Sequence, residues 1–455
     1  MRLGIRVVMV LAMSLAILVP LMMIRGTIQE RQAYREQAVR DIAASYAGAQ
    51  GIAGPVLVVP YMETVLVEEK DAQGNPRKVQ REQSGRWTFF PQQLDLNGRV
   101  QPSTRRRGLH EVRVYELRGD LAASFRADIP DDPDPARPRR IGRPWLGYGI
   151  SDVRGLAGSP RLQVGRAEVA LEQGLCGSDG GGVHARLRAP RAGGRLNLDT
   201  RLRFALGGTE SLALAPLGRH NRVVLDSPWR HPQFNGDFLP RTRVIDARGF
   251  HAEWEVSSLA SNAQAQYLAG VMLPSPGRDG MSKDGTTDVG LEAIGLSLVD
   301  PVNVYSQADR ASKYGLLFVV LTFGGFFLFE MIKRLPIHPI QYGLVGLALA
   351  IFFLLLVSLS EHIAFGLAYL AASGACIGLL GFYLSHVLRS RARGFGFATM
   401  LAMLYAALYG LLVSEDNALV LGAGLLFVIL AAAMVVTRKV DWYAVGRADP
   451  ATRDL

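Results

Sequence analysis

Glu361 and His362 stand together in a short polar turn, Ser360-Glu361-His362, between two long apolar runs, and Glu415-Asp416 occupy a matching turn between two later ones. A carboxylate beside an imidazole is a pairing that moves protons in general acid–base chemistry. Two such turns at one end of a bundle would also form an acidic mouth. Ionisable groups this close to hydrocarbon are costly and often functional; the plainer reading is two hairpin turns carrying solvated side chains into water. Glu330 is a third carboxylate near a span end. Lys333 and Arg334 lie three and four residues on, so an interfacial ion pair with snorkelling bases accounts for it. In the polar part of the chain the run from Trp229 to Pro240 is dense in aromatic residues, Pro and Gly, with Trp229, His231 and Asp237 as its candidate contact residues. It either lines a binding groove or locks a turn between strands, and the turn is the simpler reading.

Other chemistries need groups at fixed offsets that this chain lacks. It has no nucleophile elbow, phosphate-cradling glycine loop or zinc-ligand cysteine spacing. Its eight histidines are scattered, with no pair at i, i+4 to share a helix face. The two cysteines, Cys176 in the polar segment and Cys376 in an apolar run, are not placed to pair. These patterns call for no metal, no cofactor and no catalytic residue, and the chain reads as a non-enzyme. Gly374 and Gly378 form a GxxxG, followed by Gly381, which reads as a helix-packing face.

The elements that must carry these groups follow from hydropathy. Of 455 residues, 49% are hydrophobic and 20% charged, the composition of a chain partly solvated by lipid. Arg2 and Arg6 precede a first apolar run, residues 7–24, long enough to cross a bilayer; no A-x-A site closes it, so it reads as an uncleaved anchor. The capping-box spacing of Thr27-Ile28-Gln29-Glu30 predicts that a separate juxtamembrane helix starts there and ends at Gly48 to Gly51. From Gly54 the period becomes two, as in Val112-Arg113-Val114-Tyr115 and in the alternation from Phe250 to Val256. Turn-rich clusters such as 130–138, 177–182 and 274–290 separate such stretches. Five more apolar runs follow, at 314–332, 342–359, 363–388, 395–413 and 418–436.

The expected fold class is therefore membrane α + β: six transmembrane helices with a large all-β, sandwich-like domain inserted between helix 1 and helix 2. The expected domains are an anchor (1–25), a juxtamembrane helix (26–53), a periplasmic β-rich domain (54–313), a five-helix membrane domain (314–443) and a cytoplasmic tail (444–455). Topology comes from Lys and Arg near span ends. Arg2, Arg6, Lys333, Arg334, Arg389, Arg391, Arg393, Arg438, Lys439, Arg447 and Arg453 all fall on one side, and the two acidic turns opposite carry neither residue type. Both termini of a multi-pass membrane protein are thus expected in the cytoplasm, with residues 26–313 across the membrane, which in a Gram-negative cell is the periplasm. Between Arg25 and Lys313 lie 39 of the 50 basic and 33 of the 40 acidic residues. That mild excess, without a recognition motif, points away from nucleic acid and suits acidic polymers or lipid head groups.

Several runs also resemble the CreD family, the inner-membrane cell envelope integrity proteins of Gram-negative bacteria. They begin with Gly54-Pro55-Val56-Leu57-Val58-Val59-Pro60-Tyr61 and the Trp229 to Pro240 run. Lys313-Tyr314-Gly315-Leu316-Leu317-Phe318, Phe329-Glu330, His338-Pro339-Ile340-Gln341-Tyr342 and Ser358-Leu359-Ser360-Glu361-His362 follow in order. Glu415-Asp416 and Thr437-Arg438-Lys439-Val440-Asp441-Trp442-Tyr443 complete the series. The resemblance implies an envelope-integrity role tied to a two-component regulatory response, and no established reaction. The leading expectation is a protein that binds or scaffolds envelope components through its periplasmic domain; its partners would be membrane lipid, envelope polymers or other inner-membrane or periplasmic proteins. The alternatives are a transporter or flippase working through the Glu361, His362, Glu415 and Asp416 turns, and a membrane-embedded enzyme on a lipid-linked precursor with His362 as acid or base.

Overall fold

The computed structural model describes residues 3–70, 76–108, 110–132, 137–176, 180–190, 193–274, 290–298, 304–333, 338–387, 390–413 and 418–438. Glu415, Asp416, Trp442, Tyr443 and the tail expected at 444–455 lie outside these residues. The chain divides into two compact units, one of residues 36–301 and one of residues 1–35 with 302–455.

The unit of residues 36–301 is built from two large sheets. The nine-stranded sheet runs Gln233–Gly236, Ile294–Ser297, Ser211–Ala215, Gln50–Lys70, Trp145–Ile150, Gly182–Arg186 and Glu172–Gln173, with Pro76–Phe89 and Arg140–Ile141 also paired to Gln50–Lys70. The eight-stranded sheet runs Thr242–Asp246, Gly249–Ser257, His220–Ser227, Gln93–Arg107, His110–Asp128, Arg195–Thr209, Leu156–Val164 and Ala167–Val169. Alternation explains how they stack. Along His110–Asp128, Leu117, Leu121, Ala123, Phe125 and Ala127 are buried while Arg118, Arg126 and Asp128 face water. A one-residue slip would exchange the two sets. Leu57, Leu146 and Leu296 of one sheet join Leu121, Leu206 and Trp254 of the other in a single core, so the sheets face each other as a sandwich. The all-β expectation needs one refinement: both sheets are mixed. Gln50–Lys70 runs parallel to Ser211–Ala215, and His220–Ser227 parallel to Gln93–Arg107, and a short helix, Ala263–Leu268, also belongs to this unit.

Gly54-Pro55 interrupts the long strand. The pairing with Trp145–Ile150 shifts register between Ala53 and Val56, and the Gly54-Pro55 bond is cis. Gly54 has φ +113°, and a Cβ there would sit 2.7 Å from the Gly147 carbonyl oxygen. Only glycine fits that bulge without strain.

The other unit is helical. Helix α1 (Leu3–Ser45) supplies its first 33 described residues to this unit and its end to the β unit. After the short helix of the β unit, here α2, come α3 (Val304–Lys333), α4 (Pro339–Ser360), α5 (Phe365–Val387), α6 (Arg391–Val413) and α7 (Ala418–Thr437). Among the described residues, four stretches have the length and apolarity of a membrane crossing: Leu11–Ser45 within α1, and α4, α5 and α6; Val420–Ala431 in α7 is apolar and shorter.

Two sequence expectations change here. No helix starts at Thr27. Its hydroxyl donates to the Met23 carbonyl, 3.2 Å away, the i−4 bond of a helix interior, where the capping-box spacing has no free N–H groups to satisfy. Gln, Glu, Arg and Ala carry the helix onward, helped by Tyr34 to Glu30 and Gln37 to Asp41 side-chain bonds, so anchor and juxtamembrane segment form one helix about 65 Å long. The Gly374 and Gly378 pair packs nothing either: a Cβ at each would meet no described atom within 4 Å. Helix α5 buries the opposite face, with Phe365, Ala368, Ala372, Cys376 and Leu380. Gly381, the third of the series, does pack, a Cβ there falling 3.1 Å from the Ala398 Cβ on α6, and closer approaches are made by Gly346 against Ile17 and Phe323 and by Gly394 against Ser385.

Candidate functional site

Of the carboxylates nominated in the helical unit, the two described, Glu361 and Glu330, each meet a partner within it. Helix α4 ends at Ser360, and the His362 and Ile363 N–H groups both donate to the Leu359 carbonyl. That turn leaves His362 exposed and turns Glu361 inward, its side chain 11% exposed and 3.7 Å from Arg31 Nε on α1. Asp309 on α3 lies between Lys313 Nζ at 2.7 Å and Arg25 Nε at 3.4 Å. Partly exposed pairs of this kind contribute roughly 0.2–1 kcal/mol each, and they link α1 to α3 and α4.

Glu330 is buried, 3% exposed. The Tyr342 hydroxyl on α4 donates to its Oε2 at 2.7 Å, and the Tyr342 ring packs on Phe323 and Phe326. The start of α4 fixes that tyrosine. His338 caps the helix, its Nδ1 accepting the Ile340 N–H and its own N–H donating to the Gln341 side chain, with Pro339 in the first turn. The Lys333 side chain and Arg334, expected as partners of Glu330, lie outside what is described.

In the β unit, the 229–240 run is held by one bond within itself and by contacts to the strands beside it. Trp229 Nε1 donates to the His231 carbonyl, and the Arg113 guanidinium sits 4.3 Å from the centre of the Trp229 ring. Phe234 turns into the core, edge-on to Phe250 and Trp254. Asp237 exchanges two bonds with Ala293: its N–H donates to the carbonyl, and its Oδ2 accepts the Ala293 N–H. Trp254 Nε1 donates to the Phe238 carbonyl. His231 stays exposed. The run is thus neither a groove nor a simple turn: its middle, Gln233–Gly236, is the end strand of the nine-stranded sheet, paired with Ile294–Ser297. Among the described residues no group of three or more His, Cys, Asp or Glu could hold a metal ion.

These positions can be set beside known proteins. The family model described as inner membrane protein CreD matches residues 2–443. The inner membrane protein CreD of Escherichia coli (strain K12) is 34% identical over 436 residues, covering 94% of this chain and 91% of that protein. The chain belongs to the CreD family. Among solved structures, a mutant M1 zinc metallopeptidase of Deinococcus radiodurans is 14% identical, over 37% of this chain and 38% of that one, with a TM-score of 0.21. Native leukotriene A4 hydrolase of Saccharomyces cerevisiae is 10% identical, over 37% and 27%, also at 0.21. Both likenesses are too slight to carry over fold or chemistry.

In this CreD-family inner membrane protein, several of the runs that carry the resemblance have structural roles among the described residues. The Gly54 to Tyr61 run is the bulged strand. Phe329-Glu330 and His338 to Tyr342 meet through the Tyr342 to Glu330 bond, and Gly315 of the Lys313 to Phe318 run packs on Phe353 and Leu21.

One group escapes sequence reading altogether. Where α1 ends in the β unit, Asp152 accepts the Gly48 N–H, and Arg154 donates to both Asp152 and the Ala44 carbonyl. Fully buried Gln50 donates to the carbonyls of Asp152 and Gly207. Thr209 bonds Ala47 and Gly48. Hydrogen bonding from Arg154 holds the Asp152 carboxyl below the usual carboxylate range against the opposing effect of burial. The partners lie about a hundred residues apart, and no local spacing signals them.

Proposed function

We propose that this CreD-family protein is a six-span, non-catalytic inner-membrane protein that contributes to envelope integrity, with its β unit in the periplasm as the binding part. The spans are α1, α3, α4, α5, α6 and α7; both termini are cytoplasmic, in keeping with the one-sided Lys and Arg of the span ends. The partners are membrane lipid around the helices and, at the β unit, an envelope polymer or another inner-membrane or periplasmic protein.

One observation carries the reading: the two described carboxylates nominated at the helices are engaged in the fold. Glu330 is tied to Tyr342 and Glu361 to Arg31, while the β unit presents a broad, charge-rich outer sheet face. The test is co-purification of the intact protein from mild detergent, with bound lipids and proteins identified by mass spectrometry, against a variant lacking residues 54–290. Partners lost with the deletion support the reading. If every partner is retained by the helices alone, function moves to transport or lipid chemistry at the Glu361 turn.

A further inference from the structure

The hairpin of Thr242–Asp246 and Gly249–Ser257 ends the eight-stranded sheet, and register places three ionisable side chains there in one cross-strand row. Asp226 stands opposite His251 in an antiparallel pair and opposite Arg99 in a parallel pair. Both neighbours therefore flank one carboxylate on the solvent face. That carboxylate is engaged by His251, whose Nδ1 lies 2.8 Å from its Oδ1. Arg99 has no carboxylate within ion-pair distance among the described residues. Other arginines of this face do: Arg118, next to Arg99 in the row, pairs with Glu116, Arg201 and Arg203 with Asp120, and Arg222 with Glu253.

The hairpin turn supplies a second such guanidinium. Asp246 Oδ1 accepts the Arg248 backbone N–H at 2.7 Å, which engages that carboxylate in the turn; the Arg248 side chain has no acidic partner among the described residues. Gly249 makes the floor possible. Its φ is +133°, and a Cβ there would fall 1.9 Å from the Ser227 carbonyl oxygen, so no larger residue allows the strands to pass this closely. Arg99, Arg248 and His251 line a surface pocket of about 250 Å3 together with the two engaged carboxylates, Asp226 and Asp246, and with Val244 and Pro228 on its apolar side.

We propose that this pocket binds a phosphate-bearing group. A phosphate takes several N–H donors at once, and guanidinium forks match its geometry. Here two guanidiniums and an imidazole are set around one space by strand register and a fixed turn, and the two carboxylates beside them are already engaged. Free phosphate, a soluble phosphate ester and a lipid phosphate present the same group. The inference rests on reading the β unit as the binding part and gives that reading a pocket and a chemical class.

The test is calorimetric titration of the full-length protein in detergent with inorganic phosphate, glycerol phosphate and short-chain phosphatidic acid. Arg99→Gln, Arg248→Gln and the control Arg118→Gln are first matched to the parent in melting temperature. Saturable binding is expected, weakened about tenfold or more by either pocket substitution and unchanged in the control. A preference for glycerol phosphate assigns a soluble ester, and one for phosphatidic acid a lipid head group. No saturable binding of any probe, or binding that survives both substitutions, overturns the proposal. If that negative result accompanies a partner still captured through residues 54–290, the pocket is wrong and the binding reading stands.

Discussion

Removing the Tyr342 hydroxyl takes away a bond that joins α3 to α4 through a buried carboxylate. Tyr342→Phe keeps the ring and its packing on Phe323 and Phe326, so no cavity opens and the change reads the hydrogen bond alone. Hydrogen bonds to charged groups contribute about 1.5–3 kcal/mol in water-soluble folds, and side-chain bonds between membrane helices about 0.6–1.7 kcal/mol. Glu330 is 3% exposed and Tyr342 fully buried, so a cost of about 1–2 kcal/mol is expected. Glu330→Leu removes the acceptor for Tyr342 and keeps a side chain of comparable size. The double-mutant cycle of the two substitutions should then give a coupling of about 1 kcal/mol. The assay is helix loss, by far-ultraviolet circular dichroism, as denaturing detergent is titrated into mixed micelles of the full-length protein. A coupling below about 0.3 kcal/mol, within ordinary additivity, would refute the claim that this bond ties the helices together.

Three further outcomes follow from the geometry. Glu361→Gln should cost no more than about 1 kcal/mol in the same detergent titration, as expected for a partly exposed pair with Arg31; a much larger loss would give the turn a role beyond that tie. Gly54→Ala should destabilise the β unit by more than about 1 kcal/mol, since it forces a side chain into a positive-φ bulge against Gly147. Tryptophan emission on heating reads this, because four of the five tryptophans lie in residues 36–301; an unchanged transition would contradict the bulge. The Asp152 carboxyl is depressed chiefly by Arg154, so its stabilisation is complete above an unfolded-state value of about 3.9 and lost as pH falls through the lower folded value. The melting-temperature gap between the parent and Asp152→Asn should be open at neutral pH and close in acid. A gap independent of pH would rule out a charged tie at the end of α1.

Much of the architecture was legible because period and length are local properties. The alternation at Val112 to Tyr115 and at Phe250 to Val256 falls inside strands, and the apolar runs from residue 342 to 413 fall on α4, α5 and α6. What local spacing could not carry is partner choice. A window of three or four residues offers Glu330 only Lys333 and Arg334, whereas the fold brings it Tyr342, twelve residues away on the next helix. The Thr27 spacing fits a capping box, yet with no chain break before it the hydroxyl bonds backward along a continuing helix. The parallel strand pairs depend on long crossovers that leave no trace in period-two patterning. The GxxxG spacing marks a face able to pack, and does not decide that α5 turns another face inward.

In the proposed function the β unit, rather than the helices, engages the envelope. Site-specific photo-crosslinking in intact cells tests it most directly, with a photoreactive residue placed in the full-length chain at Asn97 or Asn197 on the outer sheet face, or at Leu370 on the exposed face of α5. The predicted result is a discrete envelope polymer or protein adduct from the sheet positions and only lipid from Leu370. Adducts to a discrete partner from Leu370, with none from the sheet, would contradict it.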